Sequence, residues 1–313
     1  MKAIHVQADL SGQPLIWQEA GDPAFGPDEV LVDIHAASLN RADLLQRAGK
    51  YPPPPGESEI MGLDMAGRIA EVGENVTGWQ AGDRVCAMLA GGGYAERVAV
   101  PQQMLMPVPE GWSYEQATAM PEVFLTAFVN IFMEAGFEPG ETVLMHGGAG
   151  GVGTAAIQLV REAGGRMIVT AGTDEKVARC EELGAELAIN YKAEDFVEGT
   201  LAHTAGEGVD IIIDIVGAPY LDRNISLLKV RGRLVFLALL GGAQAELNIG
   251  TLMGRRLRLI GSVLRSRSLA EKVEIKERFM ERFWPLLVDG TNEQIVDSVY
   301  PVEQATAMPE VFL

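Results

Sequence analysis

The stretch HGGAGGVGTAAIQL, residues 146–159, decides how the middle of this chain folds. Gly148-Ala149-Gly150-Gly151-Val152-Gly153 satisfies the spacing G-x-G-x-x-G, and Gly147 extends the run. Alone the match is weak, and its setting gives it weight. It follows a short apolar segment, Thr142–Met145, that reads as a strand. It opens Thr154–Ala163, where apolar residues recur at helical spacing. In a strand–turn–helix of this kind the first motif glycine permits the tight turn, the second lets backbone approach a pyrophosphate, and the third lets helix pack close on strand. Those roles fall on Gly148, Gly150 and Gly153. The helix start adds free N–H groups and the positive end of its dipole, both suited to phosphate. Gly148, Gly150, Gly151 and Val152 are therefore predicted to line a dinucleotide site.

Moving outward, Arg166–Thr170 reads as the next strand and Asp174–Leu183 as the next helix, with Thr173 as its N-cap. The end of this second strand discriminates between cofactors. A site selective for NAD carries Asp or Glu there, bonded to the ribose 2′-hydroxyl. This strand instead ends Val169-Thr170-Ala171-Gly172-Thr173, small and uncharged, which leaves room for a 2′-phosphate within reach of Lys176. Asp174 and Glu175 cut the other way, although acidic residues also suit the first turn of a helix. NADPH is the predicted cofactor. Leu187–Asn190, Asp210–Val216, Arg233–Leu239 and Leu257–Val263 continue the series of strands, and Ser268–Leu287 reads as one long amphipathic helix. Apolar strands alternating with helices predict an α/β fold, a doubly wound parallel sheet covered on both faces.

Upstream, Val30–Ile34, Met65–Val72 and Arg84–Met88 read as strands bounded by Gly, Pro and Asp turn signals. Tyr51–Gly56 (YPPPPG) must be extended, because proline fixes φ and offers no amide donor. This part reads as a β-rich domain, a partly open barrel, to which Val296–Val302 is expected to return.

The 43 acidic residues against 25 basic ones give a net charge of −18. Such a surface repels nucleic-acid phosphates and anionic lipid, so neither is an expected partner. The basic run Arg255-Arg256-Leu257-Arg258 reads as a solvated or phosphate-adjacent loop. No apolar run approaches the roughly 20 residues of a membrane helix, and the N-terminus lacks a signal core, so a cytoplasmic location is expected. Cys86 and Cys180 are then reduced thiols. The four histidines, His5, His35, His146 and His203, are scattered, and two isolated cysteines supply no zinc cage, so no metal site is predicted. His146 reads as a strand-end histidine bonded to backbone. No G-x-S-x-G elbow is present. Hydride transfer is the chemistry left standing.

Three stretches, AASLNRADLLQRAGKYPPPPG (Ala36–Gly56), GLDMAGRIAEVGENVTGWQAGDRV (Gly62–Val85) and the glycine loop, carry a resemblance. They resemble the zinc-free quinone oxidoreductases of the medium-chain dehydrogenase/reductase superfamily, most closely the p53-inducible-type NAD(P)H quinone oxidoreductases, from Met1 to about Gln304. The resemblance implies a GroES-like catalytic domain over 1–122, a Rossmann NADP-binding domain over 123–265, and a return to the first domain over 266–313. It implies a homodimer built partly through the sheet edge, and NADPH-dependent reduction of a small-molecule quinone. In zinc-containing relatives a Cys ligand lies near the place of Asn40, and a His-Glu pair takes the place of Leu63-Asp64. In the family, residues matching Asn40 and Tyr51 face the cleft near the nicotinamide, and Thr126 matches a position beside its ring. Residues matching Gly172, Lys176 and Tyr191 surround the adenosine phosphate, and the Leu240-Gly241-Gly242 turn lies along the cofactor.

Asn40 and Tyr51 also have plainer readings. Asn40 could cap the helix that Arg41–Arg47 begins, and Tyr51 could pack on the proline run; a site role for Tyr51 would be a hydrogen bond to a quinone oxygen as charge develops. Two other functions stay open: reduction of the activated double bond of an enal or enone, and NADPH binding without turnover by a structural or sensor protein. One feature stands apart. EQATAMPEVFL occurs at 115–125 and again at 303–313. The identity is too short for a structural repeat, whose periods start at roughly 20 residues, and too long for coincidence. It reads as a cloning, assembly or design artefact, standing where relatives carry a helix and a final strand with a Gly-Lys segment that helps close the cofactor site.

Overall fold

A computed structural model of the chain describes residues 1–6 and 15–304. Its contacts divide it into two units, Met1–Glu122 with Arg265–Leu313, and Val123–Leu264. In the first unit β1 (Lys2–Val6) and β2 (Leu15–Glu19) form an antiparallel pair. After β3 (Glu29–Ala36) and a short helix α1 (Arg41–Arg47) come β4 (Asp64–Val72), β5 (Arg84–Met88), β6 (Arg97–Pro101) and β7 (Met106–Pro107), then α2 (Tyr114–Thr118). The larger sheet runs in the order β6-β3-β4-β5-β7, and every pair in it is antiparallel. β6 shows the period-two logic of such a sheet: Val98 and Val100 are buried, with half-buried residues between them. Two register shifts between β3 and β4 bend the sheet.

In the second unit α3 (Pro121–Phe128), which starts in the first, runs into a π-helical stretch, Val129–Glu134. Then β8 (Thr142–His146), α4 (Gly151–Glu162), β9 (Arg166–Ala171), α5 (Asp174–Glu182), β10 (Leu187–Asn190), α6 (Phe196–His203), β11 (Val209–Asp214), α7 (Leu221–Leu227), β12 (Leu228–Phe236), α8 (Ile249–Arg255) and β13 (Arg258–Gly261) alternate. The six strands are all parallel, in the order β10-β9-β8-β11-β12-β13. The order reverses at β8, which is buried along its whole length between β9 and β11. A sheet of this kind binds ligands beyond the carboxyl ends of its strands, at that switch point. The glycine loop leaves β8 there.

Two sequence readings need correction. Ser268–Leu287 is not one helix: α9 (Leu269–Arg282) stops, and α10 (Trp284–Val288) starts again with Pro285 in its first turn. Proline has no amide to continue the α9 ladder and its ring crowds the preceding turn, so the chain restarts around it. Val296–Val302 belongs to the first unit but forms no strand. The second copy of EQATAMPEVFL lies, from residue 305, outside the described residues. No helix among the described residues is long and apolar enough to cross a membrane.

Candidate cofactor and substrate sites

The turn after β8 is built from glycines for three different reasons. Gly147 is the left-handed one, at φ 78°, where a side chain would be strained. Gly148, which the motif nominates for that role, instead sits where a Cβ would lie 2.4 Å from the Val169 side chain of β9. A Cβ on Gly153 would meet the carbonyl oxygens of Gly147 and Gly148 at 2.5 Å, so α4 can start this close to the strand only without one. At Gly150 a Cβ would meet nothing nearer than 3.4 Å, so its outer face is open. The turn is pinned to β9, because the Gly147 and Gly148 amides donate to the Thr170 carbonyl at 3.0 and 2.9 Å.

Gly150 is the N-cap of α4 and brings no side chain to satisfy the first amides; the first turn also holds no acidic residue. By contrast Thr173, Asp195 and Asn248 cap α5, α6 and α8 with their side chains. The amides of Gly151 and Val152 thus have no acceptor within the helix, at the positive end of a twelve-residue dipole. These residues fit a pyrophosphate.

Beyond β9 lie the residues expected around a 2′-phosphate, of which Gly172 and Tyr191 adjoin. The Tyr191 hydroxyl lies 3.0 Å from where a Cβ of Gly172 would be, and the Tyr191 amide donates to the Ala171 carbonyl at 3.1 Å. Lys176 is exposed in the first turn of α5, its amide bonded to the Thr173 hydroxyl. Asp174, the residue that spoke against a phosphate, accepts from the Asn190 side chain at 2.6 Å and is occupied within the fold. At the end of β12 the turn Leu240-Gly241-Gly242 returns beside β11, with Gly241 donating to the Val216 carbonyl at 2.7 Å. Leu240 is exposed. Thr126 is buried in α3, its carbonyl accepting from Asn130 at 2.8 Å. The neighbouring Val123 reaches to 2.7 Å from a Cβ built on Gly151, so α3 abuts the start of α4.

In the first unit Asn40 is the N-cap of α1, and its amide donates to Asp43 at 2.8 Å. Asn40 thus stands at the cap position of the plain reading, but its side chain makes no cap hydrogen bond. Its side-chain amide donates to Asp64 at 3.2 Å and to the Ser38 hydroxyl at 3.1 Å. Asp64 also takes the Ser38 amide (2.9 Å), the Ser38 hydroxyl (2.5 Å) and the Thr118 hydroxyl (3.0 Å). Asp43 takes the Tyr94 hydroxyl at 2.7 Å. Burial raises both carboxyls, Asp43 to about 6. Sequence reasoning missed this cluster. Its hydrogen-bonded pairs lie as many as 56 residues apart, and the one available signal was Asp64 after Leu63, read only as a missing ligand.

Tyr51 is partly exposed ahead of its prolines, and its hydroxyl has no hydrogen-bond partner among the described residues. Burial raises the phenol, the nearby Arg265 cation opposes this, and Glu122 adds to it. His146 corrects an expectation: it bonds side chains rather than backbone, donating to Asn224 at 2.8 Å and accepting from the Thr170 hydroxyl at 3.1 Å. Arg255 likewise is no solvated loop residue, since it donates to the Ile225 carbonyl at 3.1 Å. Cys86 and Cys180 are buried free thiols, one in each unit. Among the described residues no cluster of three or more His, Cys, Asp or Glu could hold a metal ion.

Residues 151–282 match the family "Zinc-binding dehydrogenase", and residues 26–110 match "Alcohol dehydrogenase GroES-like domain". The chain is 31% identical to the quinone oxidoreductase of Rattus norvegicus over 293 residues, covering 92% of this chain and 86% of that one. Among solved structures it resembles the Escherichia coli quinone oxidoreductase complexed with NADPH (28% identity, TM-score 0.86, 100% of this chain and 96% of that one). It also resembles the CurK enoyl reductase (25% identity, TM-score 0.85, 99% and 96%).

Proposed function

The chain belongs to the medium-chain dehydrogenase/reductase superfamily, among relatives of the quinone oxidoreductases, and from that premise we propose that it reduces a quinone with NADPH and without zinc. The observation that carries this reading is the uncapped, acid-free N-terminus of α4 at the switch point of a parallel sheet. Gly148, Gly150, Gly151 and Val152 hold the pyrophosphate through backbone. Gly172, Lys176 and Tyr191 receive the 2′-phosphate, and Thr126, Leu240 and Gly241 follow the nicotinamide half. Bound NADPH supplies the hydride. The Leu63 side chain, buried and aliphatic, offers no metal ligand. The working form is a cytoplasmic homodimer.

The free Tyr51 hydroxyl donates a hydrogen bond to the acceptor oxygen as that oxygen gains negative charge, and water can complete the protonation. Asn40, held by Asp64 and Ser38, has both amide hydrogens engaged and shapes the wall rather than moving a proton. Replacement Tyr51→Phe should lower kcat/KM for a small ortho-quinone by about 10- to 100-fold and leave NADPH affinity within about twofold. Unchanged kcat/KM would remove Tyr51 from the mechanism. Likeness to an enoyl reductase favours a second reading, hydride delivery to the β-carbon of an enal or enone. NADPH oxidation faster with an enal than with the quinone would establish it instead.

A further inference from the structure

Arg265 is 5% exposed and forms no ion pair among the described residues. A buried guanidinium without an ion-pair partner is costly. Its bonds are to two backbone carbonyls, Ala90 at 2.6 Å through Nε and Tyr51 at 3.2 Å through Nη1. Its central carbon lies 5.3 Å from the centre of the Tyr51 ring. Its Nη2 is buried with no hydrogen-bond partner among the described residues. The fork therefore holds the Tyr51 backbone and faces its ring, while Nη2 donates to no described residue.

We propose that Arg265 is a positioning residue that aims Tyr51 and stabilises, through and beside it, the negative charge that develops on the oxygen of the electron acceptor. The inference rests on the quinone reading above. Hydride addition to a quinone carries two electrons and one proton, and leaves a hydroquinone anion, which one proton from water completes. A buried cation beside the hydrogen-bond donor favours that anion over the neutral quinone, so its contribution appears in turnover rather than in substrate affinity. The charged groups around the pair are few. Glu122 acts on Tyr51; Asp43 and Glu57 act on Arg265, and the buried Lys272 adds a second positive charge. The same positive charge draws the Tyr51 phenol downward against burial.

The test uses the full-length protein with NADPH and a small ortho-quinone, as wild type, Arg265→Met and Arg265→Lys. Arg265→Met should lose about 10- to 100-fold in kcat with KM for the quinone changed less than about threefold, and Arg265→Lys should recover most of that loss. A second readout needs no turnover. Tyrosinate absorbance, taken as the difference from the matching Tyr51→Phe protein, should place the Tyr51 titration about one pH unit higher in Arg265→Met than in wild type. Full kcat in Arg265→Met overturns the proposal. So does equal loss in both variants with the Tyr51 titration unmoved, because the guanidinium would then only tie down backbone. A wild type that binds NADPH yet reduces no quinone overturns the functional reading and this one with it. A wild type that reduces quinones beside a fully active Arg265→Met overturns this one alone.

Discussion

Asp43 and His146 are buried ionisable side chains whose titrations oppose each other. Burial lifts Asp43 from 3.8 to about 6, against the pull of its bonds from Tyr94 and Asn40. Between those values the folded protein holds a proton that the unfolded chain has released, so stability falls as pH rises through the window. Burial lowers His146 from 6.5 to about 4. There the unfolded chain takes up a proton that the folded protein refuses, so stability falls as pH drops. The two slopes partly cancel in the wild type, and a variant is needed to separate them. From pH 7 down to pH 4, the wild type should gain about 2 to 3 kcal/mol relative to Asp43→Asn. Urea unfolding at a series of pH values measures it, and a gap that stays constant would show that Asp43 is not held protonated. Little at this scale could be read from sequence. Asn40 and Tyr51 came forward only through resemblance, and their partners, Asp64 at a separation of 24 residues and Arg265 at 214, are assembled by the fold.

At the scale of elements, the βα unit around residues 142–162 was readable because its evidence is local: an apolar strand, a glycine spacing and a helical period in one continuous stretch. What spacing could not assign was which glycine meets which constraint. Gly147 takes the left-handed turn, and Gly148 and Gly153 yield to close neighbours. Substitution separates these roles. Gly153→Ala should cost about 2 to 4 kcal/mol, because its Cβ meets backbone that cannot retreat. Gly150→Ala should leave thermal stability nearly unchanged and raise the NADPH dissociation constant about tenfold, since its open face is the one offered to phosphate. Equal stability of the two variants would contradict this division. The misjudged helix over Ser268–Leu287 has a local cause too. Amphipathic periodicity continues across Phe283, whereas Pro285 interrupts the backbone, and periodicity does not register a missing amide.

At the scale of the whole molecule, the two-unit division follows a change of rhythm, alternating strands upstream and strand–helix alternation from α3 onward, whereas the strand order is set by the fold. Arg265 is buried and forms no ion pair among the described residues, so it is explained as part of a site rather than as surface charge. The account as a whole stands on one assignment: hydride from NADPH to a quinone. The most direct test is the initial rate of NADPH oxidation by a small ortho-quinone, with NADH in parallel and the quinone omitted as control. The account predicts quinone-dependent loss of NADPH absorbance, with NADH at least about tenfold less efficient in kcat/KM. NADPH binding with no quinone-dependent oxidation, or NADH used as readily as NADPH, would contradict it.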